Sequence, residues 1–412
     1  MTEYQVFELP NGIRIAHRQV THTKIVHCGI MLDIGSRDEK PHQVGLAHFW
    51  EHMAFKGTKK RKSYHIINRL ESVGGELNAY TTKEKVCFYA SVLDRHFDKS
   101  VELLADITFQ SIFPEKQVEK ERGVILEEMS MYLDAPEDAI QDEFDEVLFP
   151  NHTLGNNILG TPKSVKSFKR EDLQDFIAEN MNTEKIIFSV VGNITFAKAK
   201  RIAEKYLSDV PATNKQQIRV KPDLYIPQKL SISKSINQAH VAIGRDAFDL
   251  HDKKRFPFFT LINLLGGPGM NSRFNLSLRE KFGLVYNIDA NFTSYTDSGF
   301  LGIYFATDKS NLNRAIKLVD KEMQNLREKT LGEVQLRSVK EQLMGQLAMS
   351  EESNQGYMMV MAKSLLDLGY VDSLQDIFEV IQNITAKEIQ DLANEMLLPE
   401  QMSMLTYLPS ES

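Results

Sequence analysis

Only two cysteines, Cys28 and Cys87, occur in 412 residues, too few for the disulfide framework that staples small secreted domains. No stretch approaches the ~20 consecutive apolar residues of a membrane span. The run 186–191 is among the longest, and it is strand-sized. A basic excess is missing too. Forty-nine Lys and Arg stand against 56 Asp and Glu, a formal net charge of −7, which argues against nucleic-acid binding as the main task. The residues from Met1 to Glu8 lack the basic start and ~7–15 apolar residues of a secretory signal. These absences predict a soluble protein of the reducing cytoplasm, although a matrix protein stripped of its presequence would read the same way. What is present, 42% apolar and 25% charged, is ordinary globular composition with length for two or three domains.

The chain reads as two similar halves. Asn11-Gly12 between short alternating runs signals a hairpin, and 24–34 reads as a strand. Helices are expected over 44–56 and 66–73, then strands through 78–93 after a Gly74-Gly75 break. Helical periodicity follows over 97–113 and 115–133, a strand at 186–191, and an amphipathic helix over 197–207. Polar, proline-bearing residues 208–230 lack sustained periodicity and form the expected linker between domains at 1–207 and 231–412. After the linker the pattern restarts at an offset of 215. Gly29 falls on Gly244, Tyr89 on Tyr304, Phe97 on Leu312, Val101 on Ile316 and Leu103 on Leu318. The expected fold class is α+β: two duplicated α/β-sandwich-type domains, each a mostly antiparallel sheet packed with helices. Coincidental α+β patterning is the alternative.

The chemistry concentrates in His48-Phe49-Trp50-Glu51-His52. On a helix the two histidines lie one turn apart and project from one face, with Glu51 overlooking it. Two imidazoles so spaced can hold one tetrahedral zinc, and a nearby carboxylate can act as base. The order inverts the commoner H-E-x-x-H pattern. Apolar neighbours make the helix buried, so a His-Glu-His triplet there needs a compensating charge such as a divalent metal. At the offset of 215 the triplet becomes Asn263, Gly266 and Gly267, so one half keeps it and the other does not. A catalytic zinc takes a third protein ligand from elsewhere. The acidic helix at 119–129 offers Glu121 and Glu128, two turns apart on one face, with Glu127 turned about 100° away. On spacing alone, a merely solvated acidic face is the commoner meaning.

At this point the sequence resembles the pitrilysin/insulinase family of zinc peptidases, in the small subfamily that includes the mitochondrial processing peptidase. In that family a glutamate ligand follows the H-x-x-E-H helix at a long and characteristic spacing, within a segment like E-R-x-V-I-x-x-E-M. Here Glu121-Arg122-Gly123-Val124-Ile125-Leu126-Glu127-Glu128-Met129 matches it, and Glu128 stands at that spacing from His52. The resemblance implies one Zn2+ per chain held by His48, His52 and Glu128, with Glu51 as base and Glu121 as a supporting carboxylate. Gly74 to Thr81 looks like the edge strand on which substrate lies, which implies substrate contacts at Asn78, Ala79 and Thr81. Ser277 to Tyr286 looks like the second-half segment whose arginine and tyrosine position the substrate, here Arg279 and Tyr286.

The function so implied is a zinc metalloendopeptidase that hydrolyses short unstructured peptides, bound as an added strand in a closed chamber. Because motif and Arg-Tyr pair share one chain, the resemblance favours a homodimeric clamshell in which that pair serves the other protomer's zinc. Two alternatives stand beside it: a specific presequence or propeptide processing peptidase, and a non-catalytic subunit of a larger assembly. No nucleic-acid or membrane partner is expected. His17, His22, His27 and His240 lack metal spacing, and both cysteines read as packed strand residues.

Overall fold

The apolar run near residue 190 is the strand β6 (Ile186–Gly192), buried at every position. Its lack of alternation means that both faces of its sheet are covered. A computed structural model describes residues 4–410; the first three residues of the N-terminal stretch lie outside that range. Around β6 run β1 (Gln5–Glu8), β2 (Arg14–Gln19), β3 (Ile25–Leu32), β4 (Glu76–Thr81) and β5 (Val86–Leu93). The sheet order is β1-β2-β6-β3-β5-β4, antiparallel except for the β2–β6 pair. The helices of this stretch of chain are α1 (Leu46–Ala54), α2 (Ser63–Glu71), α3 (Phe97–Phe109), α4 (Glu115–Leu133), α5 (Pro136–Leu148), α6 (Pro162–Ser167), α7 (Arg170–Asn180) and α8 (Phe196–Leu207).

The second sheet has the order β7-β11-β8-β10-β9. Its strands are β7 (Lys229–Lys234), β8 (Ala239–Asp246), β9 (Val285–Ser294), β10 (Gly299–Thr307) and β11 (Ser403–Pro409), with only β7–β11 parallel. The remaining helices are α9 (Arg255–Gly266), α10 (Leu312–Glu328), α11 (Glu333–Glu351), α12 (Asn354–Asp367), α13 (Leu374–Asn383) and α14 (Ala386–Met396). Mixed α and β structure in two helix-packed sheets is therefore the fold class. The repeat is visible in the elements. Gly29 and Gly244 both lie in strands, and α3 and α10 start at the matched pair Phe97 and Leu312.

The compact units do not follow the two halves of the sequence. One comprises residues 1–129, 156–219 and 349–373, and the other 130–155, 220–348 and 374–412. The reason is that each sheet has two faces to cover, and one cover comes from the other half. In the first unit Ala16, Met31, Cys87, Ile187 and Val191 pack on Met358, Met361 and Leu365 of α12. In the second, Ala242, Phe300, Tyr304, Leu405 and Tyr407 pack on Ile140, Phe144 and Leu148 of α5. The paired glycines make room for these helices. A Cβ on Gly29 would lie 3.2 Å from Met358 Sδ, and one on Gly244 would lie 3.0 Å from the Phe144 ring. The start of the expected linker carries no helix or strand, yet Arg219 ties it to the first unit through Asp33 (2.9 Å) and Asp38 (2.8 Å).

Phe144 is fully buried and meets Tyr304 edge-on at 6.1 Å. Phe144→Ala is expected to cost about 3–5 kcal/mol, the range for truncating a buried aromatic. Urea unfolding followed by circular dichroism checks this; an unchanged midpoint would mean that α5 is not an essential cover of the second sheet.

Candidate metal centre

The residue that caps the start of α1 is Gly45, whose φ of 99° is left-handed. A Cβ there would also meet the Leu159 carbonyl oxygen at 2.6 Å, so glycine is required twice over. Two amides of the first turn, those of Gly45 and Ala47, donate to the buried Glu39 carboxylate at 2.9 and 2.7 Å. Burial pushes Glu39 up to about 8, against those amides and Lys83, which favour its charge. The apolar sides of α1 are then fixed by aromatic packing. Trp50 meets Phe88 at 5.7 Å and Phe176 at 6.4 Å, and Phe49 meets Phe168 at 5.8 Å. What is left for His48, Glu51 and His52 is the remaining face.

The helix α4 brings the acids. Val118, Ile125 and Met129 are buried along one stripe. Arg122 anchors the helix by donating to the Val165 and Phe168 carbonyls at 3.2 and 2.7 Å. Two turns apart, Glu121 is buried and Glu128 half-buried, both facing α1, whereas Glu127 is exposed.

His48, His52 and Glu128 bring one ligand atom each to within 4.8 Å of one another. His48 Nε2 lies 3.8 Å from Glu128 Oε1, and His52 Nε2 lies 3.4 Å from Glu128 Oε2. Ligand atoms held at about 2.0–2.2 Å around a tetrahedral ion sit about 3.3–3.6 Å apart, so these separations fit one with little movement. His52 Nδ1 lies 3.0 Å from Glu121 Oε1. An Nδ1–H donated to that carboxylate fixes the tautomer and frees Nε2 for the ion. The other Glu121 oxygen pairs with Lys56 Nζ at 2.8 Å. His48 Nδ1 is buried and without a partner. Two imidazoles and one carboxylate that leave a position open match a catalytic zinc donor set.

The electrostatics agree with that fit. Burial, together with the His52 charge, pushes His48 down to about 4. Burial also works against charge on His52, but hydrogen bonds to Glu121 and Glu128 outweigh it and hold the ring up at about 9. Glu128 is held below the usual carboxylate range, first by its hydrogen bond to His52. His48 is thus kept neutral with a lone pair to offer, while His52 and Glu128 are held as a pair of opposite charge. Glu51 behaves oppositely: burial raises it, and the Thr81 hydroxyl, donating to Glu51 Oε2 at 2.5 Å, partly offsets this. A carboxylate raised by burial beside a cation site suits a group that accepts and returns a proton.

Thr81 ends β4, which pairs with β5 on one side and forms the edge of its sheet on the other. Asn78 on that strand is exposed and Ala79 half-buried. The fold thus gathers His48, Glu51, His52, Glu121, Glu128 and Thr81 in the first unit. In the second unit it brings Arg279 beside Tyr286, the guanidinium 5.5 Å from the ring centroid. Tyr286 is 86% exposed at the start of β9, and Arg279 lies in the wide helical turn Asn275–Lys281. The second unit also shows why it lacks the triplet. A Cβ on Gly266 would lie 2.7 Å from Ala290 Cβ, and one on Gly267 2.3 Å from the Asn263 side chain.

Two contributors, Lys56 and Glu39, carry no signal used above, and Thr81, expected as a substrate contact, bonds Glu51 instead. Lys56 lies four residues after His52, in the bend that follows α1, and the helix expected through residue 56 would have put both on one face. The Thr81–Glu51 bond needs the β4–β5 pairing, and Glu39 sits at no capping-box distance from α1. Elsewhere, His17 bonds the Ile194 carbonyl at 2.7 Å and His27 bonds Ser91 at 2.8 Å. Cys28 and Cys87 are free and buried, and burial pushes both thiols up to about 12, which keeps them unreactive. No described helix is long and apolar enough to cross a membrane.

Residues 14–162 match the insulinase family, peptidase family M16, and residues 167–343 match the peptidase M16 inactive domain. An uncharacterized zinc protease of Bacillus subtilis is 33% identical over 400 residues, 97% of each chain. The mitochondrial-processing peptidase subunit beta of Saccharomyces cerevisiae is 29% identical, over 97% of this chain and 89% of its own. A protease from Helicobacter pylori has the same fold, with a TM-score of 0.89 at 19% identity over 99% of this chain and 100% of its own. So does a peptidase M16 inactive domain structure from Pseudomonas fluorescens, at 0.90 and 18% over 99% of each. By its sequence, and with a zinc protease among these relatives, the chain belongs to the insulinase family, peptidase family M16.

Proposed function

We propose that the protein is a zinc metalloendopeptidase acting on short, unstructured peptides, with one zinc per chain held by His48, His52 and Glu128. The observation that carries this reading is the meeting of those three donors within 4.8 Å, beside a raised Glu51 carboxylate. Zinc there would supply Lewis acidity, polarising the scissile carbonyl and lowering the pKa of water from about 15.7 toward 7.

The chain's own residues do the rest. Glu51 takes a proton from the attacking water, and the same carboxyl returns it to the leaving amine as the C–N bond breaks. Thr81 holds the Glu51 oxygen at 2.5 Å and so sets the direction of the transfer. Glu121, steadied by Lys56, keeps His52 in the tautomer the site needs. The outer edge of β4 offers free main-chain groups, and an extended peptide added there pairs through its own backbone at Asn78 and Ala79. Such pairing requires substrate amides that are not already in secondary structure, hence the unstructured class and loose sequence preference. Arg279 and Tyr286 are assigned to holding the substrate in the transition state, in a homodimer where each protomer lends the pair to its partner's zinc helix. Two buried free thiols are compatible with the cytoplasm as its compartment.

The test is cleavage of an internally quenched, unstructured peptide by the zinc-loaded chain. Chelation is expected to abolish cleavage, and re-added zinc to restore it. Cleavage that survives complete metal removal would overturn the reading.

A further inference from the structure

Near its start the expected linker turns its apolar side chains to water and buries a cation. Ile218 and Val220 are 88% and 68% exposed, whereas the Arg219 side chain between them is 11% exposed. Charge rather than apolar contact therefore fixes this point of the chain. Arg219 Nε and Nη2 donate to the two Asp38 carboxylate oxygens at 2.8 and 2.9 Å, a bidentate fork. Nη2 also reaches the Glu84 carbonyl at 3.2 Å, and Nη1 donates to Asp33 at 2.9 Å.

What Arg219 grips runs to both partners of the Thr81–Glu51 bond. Asp38 lies in the stretch 35–39. On the strand side, the amides of Ser36 and Arg37 donate to the Thr82 and Lys83 carbonyls at 3.1 and 2.7 Å, in the turn that follows β4. Gly35 permits that approach, since a Cβ there would lie 2.4 Å from the Lys83 carbonyl oxygen. On the helix side, Glu39 takes the Gly45 and Ala47 amides at the start of α1. Asp38 closes the stretch on itself by accepting the Gly35 amide at 2.9 Å. Five residues thus join the start of α1 to the end of β4, and a side chain 181 positions away in sequence pins them.

We propose that Arg219 is a positioning residue for the peptidase: by pinning Asp38 and the turn after β4, it holds Thr81 against Glu51. This rests on the reading of Glu51 as the base. The contact it controls is 2.5 Å long, and a misplacement of about 1 Å far from the chemistry can cost about 10²-fold in rate. The zinc donors are anchored separately. Trp50 and Phe49 pack the body of α1, and Arg122 fixes α4 through the Val165 and Phe168 carbonyls.

The experiment measures kcat and KM of the zinc-loaded full chain on the unstructured quenched peptide. The proteins are wild type, Arg219→Gln, Arg219→Lys, Thr81→Val and the double variant Arg219→Gln with Thr81→Val. Amide hydrogen exchange of the metal-free proteins runs beside it. Arg219→Gln is expected to lower kcat about 10–100-fold, with KM within about threefold and zinc content unchanged. Lysine keeps the charge but not the fork, so Arg219→Lys should fall between that variant and wild type; it replaces Arg219→Gln in the cycle if the latter folds poorly. Because Arg219 acts through Thr81, the double variant should lose little more than Thr81→Val alone, whereas independent effects multiply. Exchange should quicken over 35–39 and 82–85 in Arg219→Gln and stay the same in α4. Wild-type turnover in Arg219→Gln, multiplying effects in the double variant, or unchanged exchange at both stretches would overturn the proposal. A wild type that cleaves nothing would overturn the peptidase reading and this role with it, whereas exchange would still show whether Arg219 holds the turn.

Discussion

Glu51→Gln is expected to lower kcat by about 10³-fold, within the span that a positioned acid–base group contributes, while zinc content stays at the wild-type level. Glutamine keeps the volume and can still accept the Thr81 hydroxyl, so the contact between α1 and β4 survives. What it cannot do is take a proton. Burial already works against the charged form of Glu51, so the neutral amide removes a desolvation cost, and the thermal midpoint should hold or rise. Three readouts therefore separate three roles. Lost turnover with retained zinc and stability marks a base. Lost zinc would make Glu51 a ligand, and retained turnover would place the base elsewhere. A non-catalytic assembly subunit would show no turnover in the wild type either.

The His-Glu-His face of α1 was legible because its spacing is local. Spacing within one turn places His48, Glu51 and His52 on one face whatever the tertiary fold, and the helix α4 fell where its periodicity put it, at 115–133. The repeat was legible through its apolar positions, since Gly29 and Gly244 answer the same packing need. The exchange of α5 and α12 was not. Each buries one face, but nothing in a single helix says which of two similar sheets it covers, and that choice is made by shape at Phe144 and Met358. The same holds at the site. Lys56 repeats helical spacing and was within reach, whereas Thr81 and Glu39 act through contacts between separate segments that only the folded chain brings together.

Sequence spacing alone left Glu121 and Glu128 as rival ligands, and the structure gives them different surroundings that substitution can separate. Glu128 faces both imidazoles at 3.4 and 3.8 Å, while Glu121 is already engaged by His52 Nδ1 and Lys56. Glu128→Gln should therefore weaken zinc binding by more than the 10–100-fold that loss of an outer partner typically costs, and Glu121→Gln should stay within about that range. Zinc that binds only the folded chain adds RT ln(1 + [Zn]/Kd) to stability. At a free zinc level of about 1,000 times the wild-type Kd, the wild type gains about 4 kcal/mol, and a variant weakened about 10³-fold gains roughly 0.4 kcal/mol. The measurement is the zinc-induced rise in thermal midpoint for wild type, Glu128→Gln, Glu121→Gln and Glu127→Gln, the last being the exposed neighbour that should match wild type. Reading the rise rather than the midpoint removes any change the substitution makes to the metal-free fold. A smaller rise in Glu121→Gln than in Glu128→Gln would reverse the two roles. A full rise in every variant would remove α4 from the zinc site altogether.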